Sequence, residues 1–449
     1  LRADGSSKFH KDHRWGTFPS LSIGWRVSEE NFFKKINWMS NFKIRVSHGL
    51  TGNNNIPQYA YMNPINATNY ILGEGTGNLI QGMASNSDEL GNPDITWEKT
   101  SETNYGIDMG FLNNRFNLSI DYYNSTTKAL LLQQPAMYIT GHKSYWNNIG
   151  KVNNKGIEIE IKTTNISKEH FTWETFANLS TNKNTLRSYG DKKHEDNFGE
   201  RNEVYRAIVG QPSIQYYGYK SDGVYTTFEE VEAAKTLKDE DGNLFVYTKF
   251  SPIVGGLKVL NTNGDNRLDP DDRVVLGDPF PDFIWGITNI INFRNFDLSF
   301  LIEGVQGTDI INGNANYNEQ LRFNKAYTKN RYVSPMFPGD GKTVYSNTTP
   351  GSDLMLTDYC IEDGSYVAFR DLTLGYTVPQ SAIRYLKINN LRVFFSCQNL
   401  FYLMASEYRG INPEARRTSG QYNSPLIDGY QRGAFPLNRT FTVGIDITF

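Results

Sequence analysis

The chain has 449 residues and a formal net charge of −3, so no strong attraction to nucleic acid or any other polyanion is implied. Two cysteines, Cys360 and Cys397, give neither a disulfide framework nor metal-ligand spacing, and no run of about 18 apolar residues offers a transmembrane helix. A mean hydropathy of −0.53 suits a soluble protein, yet a membrane β-barrel hides its lipid contact by alternation and scores the same way.

Aromatic residues make up 14% of the chain, with 27 Tyr and 27 Phe, which either interfacial girdles or a carbohydrate-binding surface would account for. The opening Leu1–Asp4 reads as a strand interior and carries no signal peptide, so the N-terminal part is expected to be missing or to be a separate chain. Eleven segments then alternate large apolar with small or polar residues, a period of two that makes strands with one apolar face. They are Leu21–Val27, Phe42–Val46, Tyr105–Phe111, Phe116–Tyr122, Ile157–Ile161 and Phe171–Leu179, followed by Phe283–Ile291, Phe296–Ile302, Tyr366–Thr377, Leu391–Phe401 and Phe441–Phe449.

The connections sort by strand parity. One set, roughly 28–41, 112–115, 164–170, 292–295 and 378–390, is short; the other, roughly 52–102, 124–154, 182–281, 305–365 and 402–436, is long. Short periplasmic turns and long extracellular loops mark an outer-membrane barrel, whereas a sandwich or propeller has no reason to sort loop length this way. Asn113-Asn114 and Arg294-Asn295 sit where two-residue hairpin turns would. The fold class is therefore all-β: an antiparallel transmembrane β-barrel. Thr227 followed by Glu230 predicts a capped surface helix over Phe228–Lys235 within the third long loop.

Chemistry-bearing motifs are sparse. Asn261, Asn263, Asp265, Arg267 (through its carbonyl) and Asp272 have the spacing of an EF-hand-type calcium loop. Asn at position 1 and Asn266 at position 6 depart from that pattern, and a turn held by Asx hydrogen bonds is the alternative. The six histidines include no HExxH, Gly73–Gly77 lacks a following helix, and Asp239-Glu240-Asp241 reads as a charged turn, so no catalytic residue is assigned and no covalent chemistry is expected. Tyr216, Tyr217, Tyr219 and Tyr225 are expected either to contact ligand or a protein lid, or to knit the loops together. Arg45, Asp108, Asp121, Glu158, Glu160 and Glu174 would line an aqueous lumen or pair with a plug inside it.

Several segments carry a resemblance: Arg14–Arg26, Gly49-Leu50-Thr51-Gly52-Asn53, Asn92–Thr100, Asn154-Lys155-Gly156-Ile157-Glu158 and Gly210-Gln211-Pro212. Farther on come Gly277-Asp278-Pro279-Phe280-Pro281-Asp282-Phe283, Leu372–Tyr376, Gln398-Asn399-Leu400-Phe401 and Arg439–Gly444. Together, in order, they resemble the C-terminal half of the SusC/RagA family of TonB-dependent outer-membrane transporters of Bacteroidetes. The resemblance implies that residues 1–449 are the C-terminal part of a barrel of about 22 strands, a size at which the lumen is plugged, with the plug domain outside this chain. It also implies energised import of an oligosaccharide or oligopeptide. The implied partners are a SusD-like surface lipoprotein lid, TonB acting through the N-terminal part, membrane lipid, the barrel-assembly machinery and a second transporter–lid pair. No nucleic acid is among them, and calcium is the one cofactor in question. Phe441, Val443, Ile445, Ile447 and Phe449 would face lipid and form the assembly signal. The competing readings are a secreted β-rich carbohydrate-binding protein or hydrolase, and a passive porin.

Overall fold

The computed structural model describes residues 1–72, 78–84, 88–199, 203–238, 241–314, 329–345, 351–386, 388–415 and 424–449. The glycine run 73–77 and Asp239-Glu240 lie outside the described residues.

Eleven strands form one continuous antiparallel sheet in chain order. They are β1 (Ser20–Arg26), β2 (Met39–Asn53), β3 (Glu98–Phe111), β4 (Phe116–Lys128), β5 (Lys151–Lys168) and β6 (Phe171–Ser180). The rest are β7 (Phe283–Phe293), β8 (Phe296–Gln306), β9 (Tyr366–Thr377), β10 (Asn390–Met404) and β11 (Thr440–Thr448). Register explains why the alternation was so legible. Trp25, Ile44, Ile107, Ile120, Ile159, Leu179 and Trp285 stand opposite one another across seven strands. The adjacent row, Lys43, Asp108, Ser119, Glu160 and Asn178, lies on the other face. A slip of one residue would exchange the two faces, so the pattern itself fixes the pairing.

The apolar face is the exposed one: Ile23, Tyr105, Val443 and Ile445 are 65%, 52%, 73% and 62% accessible. Along β7 that face runs from Phe283 to Phe293, ten peptide steps, or about 33 Å at 3.3 Å per residue. A strand tilt of about 40° reduces this to about 25 Å, the height of the lipid-facing band of an outer-membrane barrel. Aromatic pairs gather at the short-turn rim: Trp38 stacks on Phe111 at 5.7 Å, Phe171 meets Phe293 at 6.2 Å, and Phe296 meets Tyr376 at 4.7 Å.

Connections on one side are 27–38, 112–115, 169–170, 294–295 and 378–389; on the other they are 54–97, 129–150, 181–282, 307–365 and 405–439. Several strands run beyond the apolar alternation, to 15 residues in β2 and 18 in β5, which shortens the connections relative to the sequence boundaries. Arg294-Asn295 is a two-residue turn between paired Phe293 and Phe296, with Arg294 left-handed at φ 53°. Asn113-Asn114 instead belongs to a four-residue turn in which Leu112, Asn113 and Asn114 are all left-handed. The opening strand pairs as a separate hairpin, Arg2–Gly5 with Trp15–Phe18. Pro19, which has no N–H to donate, separates that hairpin from β1.

Among the described residues the buried apolar clusters lie in the long loops, at the strand ends that meet them and beside the opening hairpin. The largest joins residues of 181–282, 307–365 and 405–439, among them Tyr205, Tyr216, Leu268, Ile311, Leu354 and Tyr430. Helix α1 (Phe228–Lys235) is capped by Thr227, whose hydroxyl accepts from Glu230 N at 3.2 Å, while the Glu230 carboxylate accepts from Thr226 N at 2.8 Å. The bond from Thr226 N, more than any other cause, holds the Glu230 carboxyl below its ordinary range.

Candidate functional site: the charged inner wall and the loop crevice

The inner face of the wall is organised by three arginines, each between carboxylates. Arg45 on β2 donates from Nε and Nη2 to Asp108 on β3, at 2.8 Å each, and from Nη1 and Nη2 to Asp121 on β4, at 3.0 and 2.8 Å. Ser119 Oγ completes the cluster at 3.1 Å. The guanidinium lies flat across β3 because residue 106 is glycine: a Cβ there would come within 2.6 Å of Arg45 Cζ. Gly375 serves Arg392 in the same way, and Arg392 binds Asp297 at 2.5 Å and Asp446 of the last strand at 3.1 Å.

The third cluster rests on a bulge. The register of β9 and β10 shifts between Phe369 and Asp371, and the unpaired Arg370 is aimed inward. Its Nε donates to Glu303 at 2.7 Å, Nη1 to Asn399 at 3.0 Å and to the Tyr402 hydroxyl, and Nη2 to Glu414 at 2.5 Å. Glu414 belongs to connection 405–439, so this arginine ties a long loop to the inner wall. The expected inward residues Arg45, Asp108 and Asp121 are thus brought together, whereas Glu158, Glu160 and Glu174 share that face without forming an ion pair among the described residues. Arg370, Glu303, Tyr402 and Glu414 were missed. The signal was the doubled polar step Arg370-Asp371 inside an alternating run.

On the long-loop side the sheet divides. β6 ends its pairing with β7 at Ser180, opposite Ile284, while the chain continues along β5 as Lys183–Ser188. A crevice of about 500 Å³ opens there, between Lys155, Lys183 and Asn184 on one side and Asp278, Phe280, Asp282 and Asp309 on the other, with Gly210-Gln211-Pro212 at its end. Burial, then the neighbouring carboxylates of Asp278, Asp363 and Asp282, push the Asp309 carboxyl up to about 6, although it accepts a bond from Asp278 N at 3.1 Å. Burial also raises the Asp278 carboxyl. An adjoining cavity of about 430 Å³ shares Asn184 and Phe280 and is otherwise largely aliphatic, with Leu132, Val152, Ile214, Leu426 and Ile427 beside Glu98 and Asp428.

The calcium-like loop is held from within. Asp272 is fully buried, and its Oδ1 accepts from Thr262 N at 2.8 Å and Asn263 N at 3.4 Å, its Oδ2 from Asp269 N at 3.0 Å. Asn261 Oδ1 accepts from Gly264 N, Asn263 Oδ1 from Asp265 N and Asp265 Oδ1 from Arg267 N, at 2.8, 3.0 and 2.8 Å. The left-handed residue is Gly264, the fourth position rather than the sixth. Among the described residues no group of three acidic, His or Cys side chains converges on a point. The loop thus adopts the turn held by Asx hydrogen bonds, with the side-chain oxygens that spacing assigned to a metal accepting from its own backbone amides.

The loop tyrosines point into protein. Tyr216, Tyr219 and Tyr225 are 1%, 1% and 5% exposed, the first two inside the largest loop core. Tyr216 donates to Asp309 O at 3.0 Å, Tyr219 meets Phe250 edge-on at 5.3 Å, and Tyr217 lies 3.5 Å beneath the Arg206 guanidinium. Tyr216, Tyr219 and Tyr225 occupy the knitting role with their rings buried, while Tyr217 is half-buried. Along β11, Phe441, Val443, Ile445 and Ile447 are exposed on the outward face, followed by Phe449.

A family model described as TonB dependent receptor-like, beta-barrel matches residues 1–400. TonB-dependent receptor P26 of Formosa agariphila is 30% identical over 460 residues, a match covering all of this chain and 44% of that protein. TonB-dependent receptor SusC of Bacteroides thetaiotaomicron is 28% identical over 468 residues, with 42% of its length covered. Among solved structures, the RagAB peptide transporter superposes with a TM-score of 0.74 at 20% identity, over 99% of this chain and 45% of that one. The chain spans less than half the length of the curated relatives it matches.

Proposed function

The chain belongs to the TonB-dependent receptor-like β-barrel family, of SusC/RagA type and resident in the outer membrane, and from that premise we propose that it supplies wall and long-loop face to an energised nutrient importer. The long loops face the exterior, where they receive an oligosaccharide or oligopeptide, and TonB energises its passage inward. The observation that carries this reading is the inversion of the wall, with isoleucine and aromatic rows outward and clamped charges inward. A secreted soluble protein has no use for an apolar exterior of that height. The free edges of β1 and β11 take further strands of the same barrel, since unpaired backbone is not tolerated against lipid.

A SusD-like lipoprotein closes over the loops. The surface that suits it is a groove of about 910 Å³ beside α1, lined by Val231, Phe250 and Tyr345 and edged by the exposed Phe228, Ile253 and Val333. The row Phe441, Val443, Ile445, Ile447 and Phe449 serves as the segment read by the barrel-assembly machinery. Uptake of a labelled oligosaccharide and oligopeptide pool by cells carrying the intact transporter, with and without an uncoupler, tests the import reading. Uptake that stops with the uncoupler supports it, and uptake indifferent to the uncoupler establishes the porin instead.

A further inference from the structure

Beyond the apolar band, towards the long loops, the outward face of the wall becomes cationic. Outward positions on β3 continue past Tyr105 through Thr103 and Ser101 to Lys99; on β4 they continue past Tyr122 to Lys128, and on β5 past Ile157 through Lys155 to Lys151. Register sets Lys99 opposite Lys128 and Lys128 opposite Lys151, three lysines abreast on adjacent strands. Lys155 faces Lys183 on the segment that continues β6, which also carries Arg187. All six are exposed except Lys151, which is half-buried, and none forms an ion pair among the described residues.

Like charges directly across a strand pair repel, so this arrangement costs stability unless an anion lies over it. Among the described residues no carboxylate pairs with the three-lysine row. Glu98 belongs to the inward set and is engaged by Asn53 Nδ2 and Leu131 N, at 3.0 Å each. Asp278, Asp282 and Asp309 border only the Lys155–Lys183 end, across the crevice. Position names the ligand. Lys155 lies two residues and Lys99 six residues beyond the last apolar position of its strand, roughly 5 and 15 Å above the band at a 40° tilt. That interval holds the phosphorylated headgroups and first sugars of outer-leaflet glycolipids.

We propose that Lys99, Lys128, Lys151 and Arg187, with Lys155 beneath them, form a binding face for an anionic glycolipid of the outer leaflet. Its phosphates bridge adjacent lysines and remove their mutual repulsion. The same lipid then holds the long-loop side of the wall at a fixed depth, as Lys and Arg near an anionic surface do elsewhere. The inference rests on the reading that the long loops face the exterior.

The test uses the intact transporter purified in detergent, with lipopolysaccharide retained or added, against the variant Lys99→Gln/Lys128→Gln/Lys151→Gln. Native mass spectrometry counts bound glycolipid, with phosphatase-treated lipopolysaccharide as the second arm and heat-modifiable migration as the check of folding. Glycolipid affinity lower by about ten-fold or more in the variant, and similarly lower for dephosphorylated lipid, is the expected result. Equal binding by variant and wild type, binding indifferent to phosphate, or a loss confined to the lipoprotein partner overturns the site. Labelling of a loop cysteine in intact cells separates the two readings: a loop shielded from an impermeant reagent refutes the orientation, whatever the lipid measurement gives.

Discussion

Wall and loops use the same residue types in opposite senses. In the wall Ile107 and Val443 stand outward, 38% and 73% exposed, while Asp108 and Asp121 are held inside by Arg45. In the loops Tyr205 and Tyr216 are 0% and 1% exposed, at the centre of the largest buried cluster. The wall is thus complementary to hydrocarbon and the loop mass to water, and the change occurs within single strands, near Tyr105 on β3 and Tyr122 on β4. Exposed apolar residues form continuous cross-strand rows in the wall, whereas in the loops they stand apart, as Ile139 and Ile253 do.

Substitutions separate the two regions. Tyr205→Ala should cost about 3–5 kcal/mol of local stability, opening the loop core to protease while the barrel still inserts. Failure of insertion would show that loops and wall fold as one unit. Ile107→Lys, in the middle row of the apolar face, should cost about 2–4 kcal/mol and lower the folded, heat-modifiable fraction, with the loop core intact wherever the barrel inserts. Arg45→Met leaves Asp108 and Asp121 facing each other across a half-exposed site, at about 1–2 kcal/mol after allowance for solvent, read as a lower denaturant midpoint.

Smaller effects sharpen the crevice. Because the Asp309 carboxyl is raised to about 6 in the folded chain, its ionisation penalty is absent below the ordinary value near 4 and complete above 6. Asp309→Asn should therefore slow hydrogen exchange around 277–282 above pH 6, worth about 1 kcal/mol once solvent is allowed for, and do nothing below about pH 4. Chelator should leave protease sensitivity across 255–280 unchanged, since backbone amides already engage Asp272; loosening there would establish the calcium reading instead.

All eleven wall strands were legible because lipid on one side and charge on the other impose a period of two over many residues. Strand ends were less so, since β2 and β5 continue above the band, where both faces are polar. Spacing left two readings open at Asn261–Asp272, where a one-dimensional ligand pattern is also the pattern of successive Asx turns. The tyrosines of 216–225 follow no period, so nothing in their order distinguishes a ligand platform from a buried core. Arg370 was hidden by its bulge, and its partner Glu414 lies in a loop remote in sequence.

The inverted wall is tested most directly by single spin-labelled cysteines at each position from Phe283 to Phe293, in the intact protein reconstituted in lipid. Lipid-soluble oxygen should broaden the odd positions and an aqueous nickel chelate the even ones, in strict alternation over all eleven residues. A flat profile, or water access at Trp285, Ile287 and Ile291, would contradict the wall as described.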